Sequence, residues 1–192
     1  MSLPAPLDAV DAALRRHFGQ APLRASVSFV GVDAIEVLRF EPIPDERVFV
    51  SLGMARHAMT AASAVAYHVT GPRAELMLHV RDGADRHIDV WQQLAVLAAA
   101  PAVEGVVYTA GMTVDLGRPL ASGSRCTGGL ISHAPIHAID AVPGPVDVLQ
   151  VIPATATELA WCRVHGSPAL RERWTDHDTD LLDLARPAVA LG

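Results

Sequence analysis

The chain has no lysine. All 15 of its basic residues are arginine. The planar arginine fork pairs with carboxylates through two bonds, which an ammonium group does not do. Together with the heavy use of alanine, this points to a GC-rich source genome. Aromatic residues are scarce, at 5% of 192, so the core has to be built mainly from Ala, Val and Leu. Cysteine is nearly absent as well. Cys126 and Cys162 are too few for a disulfide framework and have no metal-site spacing, so two reduced, buried thiols are expected. Long apolar runs are missing: the longest, Leu94 to Val103, is too short to cross a bilayer and contains Pro101. Met1 to Leu7 lacks the basic-then-apolar pattern of a secretory leader, so the cytoplasm is the expected location. The net charge of −6, without clustered arginines, argues against nucleic acid as the main partner.

What is present suits a folded protein. Apolar residues make up 51% and charged residues 19%, enough apolar material for one domain over residues 1–192 with a full core. Leu7, Val10, Leu14 and Phe18 recur at three- and four-residue steps, predicting a helix over Leu7–Phe18 that Gly19 stops. Alternation predicts strands over Arg24–Val30 and Ala34–Phe40, β-branched and aromatic residues predict a third over Arg47–Leu52, and Ala74–Val80 reads as a fourth. Gly53 to Pro72 has no period and reads as a long loop, the kind of segment that often carries function. Ile88 to Ala100 reads as a helix with Asp85 near its start as a cap. Short strand-like pieces follow at Val106–Thr109 and Met112–Leu116, then a loop over Gly117–Gly129 and a short strand at Leu130–Ser132. Val146–Ile152 is a strand that Pro153 ends, and Thr155–His165 is a helix capped by Thr155 or Thr157 with Glu158 in its first turn. Helices over Ser167–Trp174 and Asp178–Ala185 close the chain. With strands early, helices mostly late and no strict βαβ alternation, the expected class is α+β: a mixed, largely antiparallel sheet with helices packed on its faces.

Tests for chemistry return little. The glycine-rich stretch Gly117–Gly129 lacks the Gly-Lys-Ser/Thr ending of a phosphate loop. Cys126 with His133 or His137 as base is the one nucleophile pairing on offer, and no family signature surrounds the cysteine. His133 and His137 have the spacing of helical metal ligands, but Pro135 between them opposes a helix. The acidic run Trp174–Asp180 lacks the glycine and later glutamate of a calcium loop and reads as a helix cap at Asp178 or Thr179. Glu75 among strand residues and Glu158 near Trp161 are read as structural carboxylates, each expected to pair with an arginine. No catalytic residue, cofactor or metal site is expected.

Several segments in order resemble the Suppressor-of-fused domain. Phe49-Val-Ser-Leu-Gly-Met54 resembles the family's aromatic-x-Ser-aromatic-Gly-Leu/Met strand end, with Gly53 in place. Ala74-Glu-Leu-Met-Leu-His-Val80 resembles its Phe-Glu-Leu strand, with Glu75 matched. Val90-Trp-Gln-Gln-Leu-Ala-Val-Leu-Ala98 resembles its Leu-x-x-Leu-Ala helix, with Trp91 standing for the opening Trp. Gly117-Arg-Pro-Leu120 resembles the stretch that ends in a Pro-Leu pair. Val148-Leu-Gln-Val-Ile-Pro153, followed by Thr157-Glu-Leu159, His165-Gly166 and Leu170, resembles its final strand and helix. The likeness covers about residues 45–186. It departs over Ala55–Gly71, and the second, C-terminal domain of animal members has no counterpart here.

The resemblance implies a non-catalytic module that binds a protein or peptide, in animals by adding a β-strand to a sheet edge. For short bacterial members it implies a binding role as well, in some cases as immunity proteins that neutralise a toxin. It implies partner contacts in the loop between the two strands, here Met54 to Arg73, with Met54, Tyr67, His68 and Thr70 as candidates. Such a module predicts an open sheet edge or groove beside that loop and no buried polar cluster. The alternatives are an enzyme using Cys126, His133 and His137, and a structural protein that self-associates through apolar surface.

Overall fold

The computed structural model describes residues 3–64, 71–81 and 89–192. The first amphipathic stretch forms α1 (Pro6–Phe18), with proline at its entry and left-handed Gly19 as its C-cap. β1 (Leu23–Phe29), β2 (Val32–Phe40) and β3 (Glu46–Leu52) follow as an antiparallel meander. A 3-10 turn at Met54–Arg56 precedes β4 (Arg73–Arg81), and α2 (Val90–Glu104) precedes the short β5 (Thr113–Asp115). β6 (Cys126–His133), β7 (Val146–Thr155), α3 (Ala156–His165) and α4 (Ser167–Asp176) complete the order.

All seven strands join one sheet in the order β1-β2-β3-β4-β7-β6-β5. Every pairing is antiparallel except β4 with β7. The expected mixed, largely antiparallel sheet with helices on its faces is therefore what forms. Strand alternation sorts the core onto two faces. Val37, Phe49, Leu76, Leu78 and Val151 pack with α2 through Leu94, Ala95 and Ala98. The alternate residues Leu38, Val48, Val50, Met77 and Val148 pack with α1 through Val10 and Leu14. Farther along β6 and β7, Leu130, Ile152 and Ala154 pack with α3 and α4 through Leu159, Cys162, Leu170 and Trp174.

Several boundaries differ from the sequence reading. α2 does not stop at Ala100 but runs through Pro101 to Glu104. Proline cannot donate to the carbonyl four residues back, and the Tyr108 hydroxyl donates to that Leu97 oxygen instead, at 2.8 Å. β7 likewise continues through Pro153 to Thr155. Its ladder with β4 ends at Gln150, so at Pro153 only β6 lies alongside and the missing N–H interrupts nothing on the other side. β6 begins at Cys126, inside the expected loop, and its Gly128 and Gly129 let neighbouring backbone approach so closely that a Cβ would lie 1.9 Å from the Val114 oxygen and 2.5 Å from the Ile152 oxygen. No strand forms at Val106–Thr109, and no helix forms over Asp178–Ala185. There the Asp180 and Asp183 side chains accept from the N–H groups of Leu182 and Ala185, holding turns that compete with a helix. Among the described residues β1 to β4 come early and three of the four α-helices follow β4, as expected, while β5, β6 and β7 add strands to the second half. Asp85 and Ile88 lie outside the described residues.

Candidate functional site

The β3–β4 ladder ends at Val50 opposite Met77, and what happens next shapes the site. Ser51 turns its hydroxyl into the ladder, where Oγ accepts from the Leu76 N–H at 2.9 Å and donates to Glu75 Oε2 at 2.5 Å. Glu75 is fully buried, and its Oε1 accepts from the N–H groups of Gly53 at 2.8 Å and Ala55 at 3.0 Å. Burial pushes its carboxyl above the usual range, and the bonds from Ser51, Gly53 and Ala55 offset only part of that. The arginine partner expected for Glu75 is thus replaced by a hydroxyl and two backbone donors. Arg73 lies two residues earlier, on the same side of β4. Its Nη1 donates to the carbonyls of Ala55 and Arg56 at 2.9 and 2.8 Å.

These bonds fix the 3-10 turn, and with it one wall of a groove of about 1030 Å³. A second wall is the β1–β2 turn at Gly31–Asp33, and the third is the C-terminal half of α2, from Ala98 to Gly105. Residues 58–64 close the floor and are pinned twice. The Met59 N–H donates to the Pro72 oxygen at 2.8 Å, and the Ala62 N–H donates to the Gly105 oxygen at 3.1 Å. Gly105 sits at φ 68°, and a Cβ there would lie 2.5 Å from the Ala62 nitrogen, so only glycine permits this contact. Alanine is the commonest lining residue, seven of the twenty, joined by Met54, Pro101 and Val103 and by the polar Thr60 and Arg73. Its charged groups stand apart. Asp33 Oδ2 meets His57 Nε2 at 3.1 Å and Arg56 Nε at 3.5 Å. Glu104 is exposed at the end of α2 and has no ion pair among the described residues.

The expected site residues fall as follows. Met54 is buried and lines the groove. Tyr67, His68 and Thr70 lie outside the described residues. Gly53 adopts φ 145°, which favours glycine, and a Cβ would sit 3.1 Å from the Ala34 oxygen. Trp91 is half-buried in the first turn of α2, against the core. Glu158 has the arginine partner that was expected. Arg186 Nη1 and Nη2 donate to its two oxygens at 2.7 and 2.9 Å, joined by Trp174 Nε1 and the N–H groups of Thr155 and Val189. Burial would raise this carboxyl, but those donors outweigh it and hold Glu158 below the usual range. Thr155 and Glu158 form a full capping box. The expectation of no buried polar cluster is therefore corrected. Two exist, and both tie backbone segments together.

The enzyme alternative does not assemble. Cys126 and His133 stand at opposite ends of β6, about 23 Å apart at the rise of a strand, and His137 lies in the loop beyond. The Cys126 thiol is buried and pushed up to about 11, so it is not a thiolate at neutral pH. Sequence reasoning missed Arg73, Ser51 and Tyr108. Ser51 and Glu75 were visible as motif letters, but nothing local says that they touch.

Both ends of the sheet, β1 and β5, have a neighbour on one side only. β1 is the longer, and the turn that joins it to β2 lines the groove at Gly31 and Val32. Among the described residues no helix is long and apolar enough to cross a membrane.

The sequence profile described as Suppressor of fused protein (SUFU) matches residues 31–187. A SUFU homologue from Neisseria gonorrhoeae FA 1090 has a similar structure, with a TM-score of 0.70 at 19% identity, covering 95% of this chain and 96% of that one. The structure of the Sufu-Fu complex is similar at TM-score 0.70 and 16% identity, covering 97% and 93%. Drosophila Suppressor of Fused aligns at TM-score 0.69 and 17% identity over 97% of this chain, which spans 51% of that protein. At these identities the structures speak to the fold. Among curated proteins none matches the sequence at a significant level. The family match covers most of the chain, and on it the chain belongs to the Suppressor of fused (SUFU) family.

Proposed function

We propose that the protein is a non-catalytic, cytoplasmic, single-domain module that holds a protein partner in the groove between α2, the β1–β2 turn and the 3-10 turn. The observation that carries this reading is the groove itself. It is large, lined by many small apolar residues with a few charged and polar groups, and walled by backbone that Arg73, Glu75 and Gly105 hold in place. A preformed, largely apolar concavity with a few polar groups suits binding. The Sufu-Fu complex supports the reading from the side of the family, since a similar domain is there seen with a protein partner. Met54 is a proposed contact, as are Tyr67, His68 and Thr70, which lie outside the described residues. The free edge of β1 offers backbone pairing beside the groove.

A photo-crosslinking residue placed at Ala58 or Ala102 in the native host tests this. A defined protein is expected to be captured at both positions and not at Val164, which is exposed on α3 away from the groove. It should then bind the purified chain. Capture of no protein, or equal capture at Val164, overturns the reading. The narrower proposal is an immunity protein. If a toxin gene lies beside this one, co-expression of the chain should restore growth, and unchanged killing removes the immunity role.

A further inference from the structure

The end of α2 breaks a rule that the other helices keep. α1, α3 and α4 each carry an arginine in the last turn, where the partial negative charge of the helix C-terminus favours a cation. α2 has no base in its last turn and ends instead in Glu104. An acid at that position repels the terminal carbonyls. Glu104 is exposed, lines the groove and has no ion pair among the described residues. The negative potential at this end of the groove is therefore uncompensated within the described structure. Such local conflicts are expected where function needs them. Asp33, on another wall, meets Arg56, and Arg73 lines the groove at the 3-10 turn with its guanidinium on the Ala55 and Arg56 carbonyls, so the acid without an ion pair among the described residues is the one at the α2 end.

Beside the charged and polar groups Asp33, His57, Thr60 and Arg73, the lining is made of small apolar residues. Ala98, Ala99 and Ala102 on α2 face Ala61 and Ala62, and Val103 at the rim is 60% exposed. The volume of about 1030 Å³ is at the upper end for a small-molecule site and accommodates several side chains of a peptide. Resting on the binding-module reading above, we propose that the groove selects a peptide segment carrying an arginine or lysine next to an apolar side chain. The cation meets Glu104 and the carbonyl end of α2, and the apolar side chain fills the alanine-lined floor. The chain's net charge of −6 steers such a segment inward.

Panning phage-displayed random heptapeptides against the full chain, then measuring the enriched peptides by fluorescence anisotropy, tests the proposal. Enrichment of an Arg or Lys beside Leu, Ile, Met or Phe is expected. Glu104→Arg should weaken these peptides at least ten-fold, Ala102→Trp should abolish binding, and Val164→Trp should change nothing. Glu104→Arg places a base at a helix C-terminus, so its Tm should not fall, which separates lost binding from lost folding. Val103→Trp serves as a second groove-filling variant should Ala102→Trp lower the Tm. Peptides that need the groove but show no basic preference and ignore Glu104→Arg overturn the charge inference and leave the binding module standing. Enrichment only of peptides indifferent to both groove-filling variants overturns the inference and the groove reading together.

Discussion

Arg73 and Glu75, two residues apart on β4, grip the same 3-10 turn by opposite polarities. Glu75 accepts from the N–H groups of Gly53 and Ala55, while Arg73 donates to the carbonyls of Ala55 and Arg56. Ala55 is held from both sides. A turn that would otherwise end β3 in open loop becomes a rigid groove wall, and the groove inherits its shape from two buried charged side chains.

Replacing Glu75 therefore has a graded effect. Glu75→Ala leaves two backbone donors and the Ser51 hydroxyl without their acceptor, at about 1–3 kcal/mol for each buried group unsatisfied. Chemical denaturation should show a loss of about 3 kcal/mol or more. Glu75→Gln keeps an amide oxygen for the two N–H groups and should cost under about 2 kcal/mol. An equal loss in both variants would mean that the carboxylate's charge, not its acceptor role, holds the turn.

The same residue sets a pH dependence. Its folded pKa lies above the ordinary 4.5. Its contribution to stability is thus fully present below the unfolded value and is lost as pH rises through the folded one. Glu75→Gln should remove that loss, so the difference between wild type and variant should narrow or reverse from pH 4.5 upward. A constant difference across the range would contradict the shift.

Glu158 behaves in the opposite sense. Arg186 and its other donors depress the carboxyl, so its contribution is present above the unfolded value and disappears as pH falls through the folded one. Arg186→Met strands a buried carboxylate and should cost about 3–5 kcal/mol near neutral pH, less below pH 4. Because Arg186 also reaches the Pro153 oxygen, the variant should loosen residues 186–192 first, seen as faster amide exchange at Val189.

Gly105→Ala tests the groove's other wall. The added Cβ meets the Ala62 backbone at 2.5 Å, and the left-handed φ adds strain of about 1–3 kcal/mol. The expected result is a lower Tm together with weaker binding of any groove ligand. Gly117→Ala has a similar φ of 65° but open space around its Cβ, so it should cost less and leave binding intact.

Thiol chemistry gives a fifth check. Both cysteines are buried, and burial raises the thiol of each, Cys126 to about 11. Neither should react with a disulfide reagent at pH 8 until denaturant is added, when both should react. Rapid modification of Cys126 in the folded protein would reopen the nucleophile alternative.

The sequence by itself determined the local features. α1 was legible from Val10, Leu14 and the stop at Gly19, β1 and β2 from their alternation, β3 from its β-branched and aromatic residues, and the capping of α3 from Thr155 and Glu158 three residues apart. Each depends on neighbours within a turn or two, where periodicity and side-chain reach decide the outcome. The ordered motifs also carried the family, because their spacing spans much of the chain. Only the tertiary structure decided the rest. Pro101, beyond the expected helix end at Ala100, is tolerated because Tyr108 supplies the missing donor, and Pro153, read as a stop, because β4 no longer runs alongside. Glu75 looked like half of an ion pair, yet its partners are a hydroxyl and two N–H groups 20 to 24 residues earlier. The groove needs residues from 31, 53–64 and 98–105 at once. Contacts between distant segments depend on how the sheet is ordered, and no local pattern encodes that order.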